Sequence, residues 1–363
     1  MKDEIWMRQA LTLAEKGRGR TSPNPLVGAL VLRRGKIVGE GYHGYFGGPH
    51  AEAVALKKAG KRARGATLYV TLEPCSSWGK TPPCVDAVIA SRVARVVIGS
   101  ADPNPKNYFA GIQKLRRAKI KVRASVLAGH VERQNQPFFK RMRTGLPFVT
   151  LKMAQSLDGK IATRTGVSRW ISSKKSREWV HSLRDQVDAV LVGKNTALLD
   201  NPSLQGAGEK EKPWRVVLDP DLELPRTARL FKGSQLTFVV ISEKKLRELP
   251  QSSRQNGRTY LPVPEKRGKL ELKPLFQELA SLGVNHLLVE GGGELAWSLL
   301  SQRLVDRLIW IVAPKIVGGR TAKTSVEGEG VRKLEKAFNL RFEKTYPLGE
   351  DWVFEAVPER KSE

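Results

Sequence analysis

Cysteine is nearly absent from this 363-residue chain, which holds only Cys75 and Cys84. Two thiols nine positions apart exclude a disulfide-stapled scaffold. Long apolar runs are missing too. None approaches the roughly 20 residues that a helix needs to cross a bilayer, so a membrane protein of that kind is not expected. Met1-Lys2-Asp3-Glu4 puts acids where a secretory signal would carry a basic start and an apolar stretch. The expected location is therefore the cytoplasm, where reducing conditions favour a metal site or a reactive thiol over a disulfide. Acidic residues are scarce, 36 Asp and Glu against 63 Lys and Arg, for a net charge of +27. The excess is concentrated early: 27 basic against 9 acidic residues in 1–145, and 36 against 27 in 146–363. Such a field attracts phosphorylated ligands. Charge alone reads no bases, so a small phosphorylated molecule is expected as partner rather than nucleic acid. The length suits two domains, each with its own core, and the composition is compatible with a homo-oligomer.

The hydrophobic pattern alternates strands and helices. Asp3–Glu15 reads as an amphipathic helix, and Leu26–Leu32 with Lys36–Gly41 as a hairpin around Arg33-Arg34-Gly35. Helices follow at His50–Ala59, Pro83–Ser91 and Gly111–Ala118, with strands at Thr67–Leu72, Val93–Gly99 and Ile120–Ala124. This order predicts a three-layer α/β domain with a partly parallel sheet. Residues 125–145 show no clear long element and end in Gly145-Leu146-Pro147, which places the domain boundary at 145/146. Beyond it, strands are expected at Phe148–Met153, Ala189–Gly193, Arg215–Leu218, Thr237–Ile241, His286–Val289 and Arg307–Val312. Helices are expected at Ser173–Asp185, Leu272–Leu282 and Glu294–Gln302, and Glu209–Lys212 and Glu243–Lys269 read as charged connectors.

His50-Ala51-Glu52, Pro74-Cys75 and Pro83-Cys84 carry the clearest chemistry. One imidazole and two thiolates give zinc three protein ligands and leave a fourth position open, the mark of a catalytic site. A proton carrier must sit beside such a metal without occupying it. Glu52 suits that role, because side chains two apart on a helix do not share a face. A bare cysteine pair would read as two buried thiols. His-x-Glu followed by two Pro-Cys dipeptides is instead the zinc-deaminase signature.

The stretches Thr21-Ser22-Pro23-Asn24-Pro25-Leu26-Val27-Gly28, His50-Ala51-Glu52, Thr71–Cys84 with its Gly79-Lys80-Thr81-Pro82-Pro83 spacer, and Asp102-Pro103-Asn104-Pro105 make the first part similar to the deaminase half of the bifunctional riboflavin-biosynthesis enzymes. Lys152–Lys160, Ser168-Arg169-Trp170-Ile171-Ser172 and Glu290-Gly291-Gly292-Gly293 resemble the opening and glycine turn of the reductase half. The resemblance covers nearly the whole chain. It implies a cytidine-deaminase-like domain over 1–145 and a dihydrofolate-reductase-like domain over 146–363, with zinc and NADPH as cofactors. The implied activity is deamination of a diamino-phosphoribosylamino-pyrimidine, then reduction of its ribosyl group to ribityl.

Carried over by residue, the resemblance gives cofactor contacts to Ala154, Trp170, Thr196, Asp200 and the turn Gly292, Gly293, Glu294, Leu295, Ala296, Trp297 and Ser298. Substrate contacts fall on Asn24 in the first domain and on Ser168, Arg184, Leu204 and Glu290 in the second, with Lys152 holding substrate or developing charge. A strand ending in glycines before a helix also suits a pyrophosphate on its own physics. The chain departs from the family pattern at three places. Ser77 stands where histidine is common, and Phe109 where the first glycine after Asp102–Pro105 is usual. No arginine follows Leu204 in Gln205-Gly206-Ala207-Gly208, which leaves Arg184 or another basic side chain to grip a phosphate. The alternatives are a deaminase with an impaired or altered reductase half, and a nucleic-acid base deaminase.

Overall fold

In strand β1 (Gly28–Arg33) successive side chains go to opposite faces of a sheet, and both faces are covered. Ala29 and Val31 join Leu68 and Val70 of β3 (Thr67–Leu72) and Val96 and Ile98 of β4 (Arg95–Ser100) in one core. That core is closed by helices α2 (Ala51–Ala59), α3 (Cys84–Ala90) and α4 (Ala110–Arg117), through Ala51, Ala55, Val85, Val88, Ile112 and Leu115. The alternate residues Leu30, Leu32, Tyr69 and Val97 pack on Met7, Ala10 and Leu13 of α1 (Lys2–Ala14). Helix α1 lies so close that a Cβ at Gly28 would overlap the carbonyl oxygen of Ala10. With β2 (Lys36–Tyr42) and β5 (Lys121–Arg123) the order is β2-β1-β3-β4-β5. Strand β1 is antiparallel to β2 and β3, and β3, β4 and β5 run parallel. The expected three-layer, partly parallel architecture is thus observed.

The computed structural model describes residues 2–208, 213–250, 258–266 and 268–359. The connector expected at Glu209–Lys212 lies outside them. The chain divides into two units, Met1–Leu146 and Pro147–Glu363.

The stretch 125–145, where no long element is expected, holds two short helices, α5 (Ala128–Gln134) and α6 (Gln136–Thr144). Asn135 joins them. Its buried amide accepts from the Leu26 N–H at 2.7 Å and donates to the Leu26 carbonyl at 3.1 Å, a link that no local pattern announces.

The second unit is built on a nine-stranded sheet. Its strands are β6 (Phe148–Ser156), β7 (Ala189–Gly193), β8 (Trp214–Leu218), β9 (Thr237–Ser242), β10 (Thr259–Val263), β13 (His286–Glu290), β14 (Arg307–Ala313), β15 (Leu340–Leu348) and β16 (Asp351–Pro358). The order is β10-β9-β8-β7-β13-β6-β14-β16-β15, parallel from β10 to β14 and antiparallel through β16 and β15. A two-stranded ribbon, β11 (Glu265–Lys266) with β12 (Lys269–Leu270), stands apart. The parallel strands read as continuous Val, Leu and Ile because helices α7 (Lys174–Arg184), α8 (Lys194–Asp200), Leu272–Ser281 and Gly293–Ser301 accompany them. The expected connector Glu243–Lys269 instead contains a helix, α9 (Glu243–Glu248), and strand β10, which is held by its ladder with β9. Among the described residues, no helix is long and apolar enough to cross a membrane.

Candidate active sites

Three chain segments converge in the first unit. His50 is the residue just before α2, Cys84 opens α3, and Cys75 follows the end of β3 after Glu73-Pro74. Their ligand atoms lie within 4.8 Å of one another. His50 Nδ1 is 3.1 Å from Cys84 Sγ and 3.6 Å from Cys75 Sγ, and the Cys84 N–H donates to Cys75 Sγ at 3.3 Å. The hydrogen bond from the Cys84 thiol, with His50 and that N–H, holds the Cys75 thiol well below its ordinary pKa, and the same proton sharing pushes Cys84 up. The hydrogen bond to Cys75 raises His50. One nitrogen and one sulfur at the starts of α2 and α3, with a second sulfur just past β3, form a donor set suited to zinc.

Glu52 lies in the first turn of α2, only 3% exposed. Burial pushes its carboxyl up to about 7. Beside it lies a cavity of about 140 Å³ whose walls include Asn24, His43, Glu52, Asp102 and Asn107.

His43 and Asn107 carried no sequence signal as functional residues. His43 is buried, and burial lowers its pKa. Its Nδ1 donates to the Pro49 carbonyl at 3.1 Å, so its Nε2 accepts from Asn24 Nδ2, also at 3.1 Å. Asn24 is thereby tied to the segment that carries His50. Asn107 donates from Nδ2 to Asp102 Oδ2 at 2.9 Å and accepts at Oδ1 from Ser77 Oγ at 2.9 Å and Ser76 N at 3.2 Å. It therefore fixes the start of the loop between the two cysteines. Burial pushes the Asp102 carboxyl up to about 6. Glu73, also buried, caps α4 from outside by accepting from the N–H groups of Asp102, Phe109 and Ile112, each at 3.1 Å. Phe109, at the glycine-preferring position, adopts a left-handed φ of 57°.

In the second unit a cavity of about 580 Å³ is bordered by the ends of β6, β7 and β13 and by α7 and α8. Lys152, Ala154, Ser168, Trp170, Arg184, Thr196, Asp200, Leu204, Glu290, Gly292, Gly293 and Glu294, all singled out in the sequence, border it. Lys152 and Glu290 are direct ladder partners on β6 and β13, which places their side chains together. Lys152 Nζ is 3.8 Å from Glu290 Oε2, and burial lowers the lysine's pKa. Arg184 Nε and Nη2 donate to the two Glu290 oxygens at 2.7 and 3.1 Å, and Nη1 donates to the Gln205 carbonyl at 3.1 Å. Three of the five N–H donors of Arg184 are thus engaged within the protein, two on Glu290 and one on the Gln205 carbonyl, and the residue still borders the cavity. Burial pushes Glu290 up, but Arg184 and Lys152 outweigh it and leave the carboxyl at about 2. Ser168 Oγ donates to Asp200 Oδ1 at 2.6 Å.

Gly292 precedes the helix Gly293–Ser301, whose first turn has no side-chain cap, and a Cβ at Gly292 would meet open space. Free N–H groups at a helix start beside a cavity fit a cofactor pyrophosphate. Leu295, Ala296, Trp297 and Ser298 do not border the cavity. Leu295 and Ala296 are buried in the core, the Trp297 ring meets Phe338 edge-on at 6.0 Å, and Ser298 Oγ donates to the Glu294 carbonyl at 2.9 Å. Arg177 and Arg229 also border the cavity, and the sequence reading did not single them out. Arg177 stands 4.3 Å over the Trp170 ring, and only the tryptophan had a motif to mark it.

Known proteins resemble this chain over both units. The model of the cytidine and deoxycytidylate deaminase zinc-binding region matches residues 1–100, and the RibD C-terminal domain matches 147–354. The riboflavin biosynthesis protein RibD of Aquifex aeolicus is 43% identical over 353 residues, covering 97% of either chain. That of Escherichia coli is 40% identical over 365 residues, covering 97% of this chain and 98% of its own. Among solved structures, a diaminohydroxyphosphoribosylaminopyrimidine deaminase/5-amino-6-(5-phosphoribosylamino)uracil reductase from Thermotoga maritima is 35% identical with a TM-score of 0.85, covering 98% of each chain. Acinetobacter baumannii RibD is 33% identical with a TM-score of 0.88, covering 99% of each. The chain belongs to the RibD family of bifunctional riboflavin-biosynthesis deaminase–reductases.

Proposed function

We propose that the first unit hydrolytically deaminates diaminohydroxyphosphoribosylaminopyrimidine and that the second reduces the ribosyl group of the product with NADPH. The observation that carries this reading is the pairing in one chain of two cavities. One lies beside His50, Cys75, Cys84 and Glu52, and the other beside Lys152, Glu290 and an uncapped helix start.

His50, Cys75 and Cys84 hold zinc, which supplies Lewis acidity that makes water reactive at neutral pH. Glu52 takes the proton released by the attacking water and delivers it to the departing amine. A carboxyl raised to about 7 by burial is matched to both halves of that task. Asn24, oriented by His43, hydrogen-bonds the pyrimidine edge.

In the second unit the nicotinamide supplies the hydride. Gly292, Gly293 and Glu294 receive the cofactor pyrophosphate, while Ala154, Trp170, Thr196 and Asp200 position the rest. Leu295, Ala296, Trp297 and Ser298 contribute helix backbone and packing rather than cavity wall. Ser168 and Leu204 contact the substrate. Lys152 offers ammonium donors to the sugar oxygens, with Glu290 as counter-charge and Arg184 fixing Glu290. Two cysteines that serve a metal and are not joined in a disulfide suit a reducing cytoplasm.

Zinc-loaded protein given the pyrimidine substrate and NADPH is expected to release ammonia and consume the cofactor. Ammonia release with no consumption of NADPH would remove the reductase half of this reading, and preference for NADH would remove the cofactor assignment.

A further inference from the structure

Six cations border the second unit's cavity: Lys152, Arg169, Arg177, Arg184, Arg229 and Lys323. Five have work within the protein. Arg184 and Lys152 share Glu290, and Lys323 pairs with Glu327 at 3.5 Å. Arg177 lies over Trp170 and donates to the Ser172 carbonyl at 2.7 Å. Arg169 donates to the Asp200 carbonyl and faces the same ring at 5.5 Å. The Arg229 side chain has no ion pair, hydrogen bond or ring contact among the described residues.

Its backbone, in contrast, is fixed. Arg229 opens a short 3-10 turn, Arg229–Phe231, between the buried Ala228 and Leu230. Its N–H donates to Asn201 Oδ1 at 2.8 Å, which ties the turn to the segment that follows α8 and leads through Pro202 and Ser203 to Leu204. A guanidinium on an anchored backbone, uncommitted and at the mouth of a cavity, suits an anion that arrives with the ligand. The position three after Leu204 is Ala207, which brings no charge. The neighbouring Gly206 is packed against the Asp185 carboxylate, and the Ala207 N–H donates to it at 3.1 Å.

We propose that Arg229 binds a phosphate monoester dianion in the reductase cavity. This rests on the reading of that cavity as a site for phosphorylated ligands. Two phosphates carry the chemistry, the 5′-phosphate of the sugar and the 2′-phosphate of NADPH, and binding separates them.

The intact chain is titrated calorimetrically with ribose 5-phosphate, with NADPH and with NADH, as wild type, Arg229→Ala and Arg229→Lys. The anchoring N–H survives both substitutions, and an exposed side chain leaves folding intact, which circular dichroism checks. Arg229→Ala is expected to weaken ribose 5-phosphate binding about tenfold, with Arg229→Lys recovering part of it. A loss confined to NADPH, with NADH unchanged, assigns the same grip to the cofactor. Unchanged affinity for both phosphorylated probes overturns the proposal. A wild type that binds neither probe instead overturns the reading of the cavity on which it rests.

Discussion

Arg184 and Glu290 form a two-pronged ion pair, Nε to Oε1 at 2.7 Å and Nη2 to Oε2 at 3.1 Å, across the wall of the reductase cavity. Lys152 completes a largely enclosed triad in which one carboxylate balances two cations. Removing that carboxylate leaves two positive charges facing each other out of water, which costs far more than the pair contributes. Glu290→Gln is expected to destabilise the second unit by about 3 kcal/mol at pH 7 and to abolish most reduction. Urea unfolding followed by tryptophan fluorescence tests this, since six of the eight tryptophans lie beyond residue 147. A variant as stable as wild type would remove the triad from the account.

The same carboxylate sets a pH window. Its folded value of about 2 lies below the roughly 4.3 of a free glutamate, so the ionised form is favoured by folding. The stabilisation is present above pH 4.3 and is lost as pH falls through that value toward 2. The urea midpoints of wild type and Glu290→Gln should therefore differ at pH 6 and converge between pH 4 and pH 2. A gap that stays constant with pH would show that Glu290 is not held ionised.

The fold and the sites were legible in unequal measure, for a physical reason. Strands such as Thr67–Leu72 and motifs such as His50-Ala51-Glu52 declare themselves because their residues act on near neighbours. Strand β15 does not. Nearly all of Leu340–Leu348 is exposed, so it lacks an apolar face and is fixed by its ladder with β16. His43 meets Asn24 across 19 residues, and Asn107 meets Ser77 across 30. Nothing in the local sequence of either marks it as part of a site. Arg184 was visible as a site residue, but its engagement by Glu290 is a property of packing, 106 residues away.

Glu52 stands outside the group His50, Cys75 and Cys84 whose ligand atoms converge, so the proposed metal binding and proton transfer are separable. Glu52→Gln is expected to retain zinc, measured by elemental analysis, while ammonia release falls between a hundredfold and ten-thousandfold. Retained turnover would reassign the proton carrier. Stripping zinc from wild type with a chelator should stop deamination and leave reduction of the separately supplied deaminated intermediate intact.

Asn107 connects Asp102 to the two serines that follow Cys75. Asn107→Ala leaves the Ser76 N–H and Ser77 hydroxyl without this acceptor and Asp102 Oδ2 without its amide donor, while Oδ1 keeps the Asn104 N–H. The expected result is a loss of about 1–3 kcal/mol in stability. The deaminase KM should rise severalfold, with zinc content unchanged, because the substitution loosens the loop rather than the ligands. Loss of zinc instead would show that this network holds the metal site itself.

Gly111 and Phe109 offer the sharpest contrast, because the sequence pattern has glycine near both and the structure needs it differently. A Cβ at Gly111 would overlap the carbonyl oxygen of Pro74, the residue immediately before Cys75. Neither side can yield easily, since α4 is pinned by Glu73 and Pro74 leads directly into a ligand. Gly111→Ala should therefore displace Cys75 and weaken zinc at least tenfold in a chelator competition. Phe109 carries a different burden, a left-handed backbone that costs a non-glycine residue about 1 kcal/mol. Phe109→Gly relieves that cost while its N–H still reaches Glu73, so zinc affinity should not change. If Phe109→Gly were the variant that lost zinc and Gly111→Ala the one that kept it, close packing of α4 on the Cys75 segment would not be what holds the ligand in place.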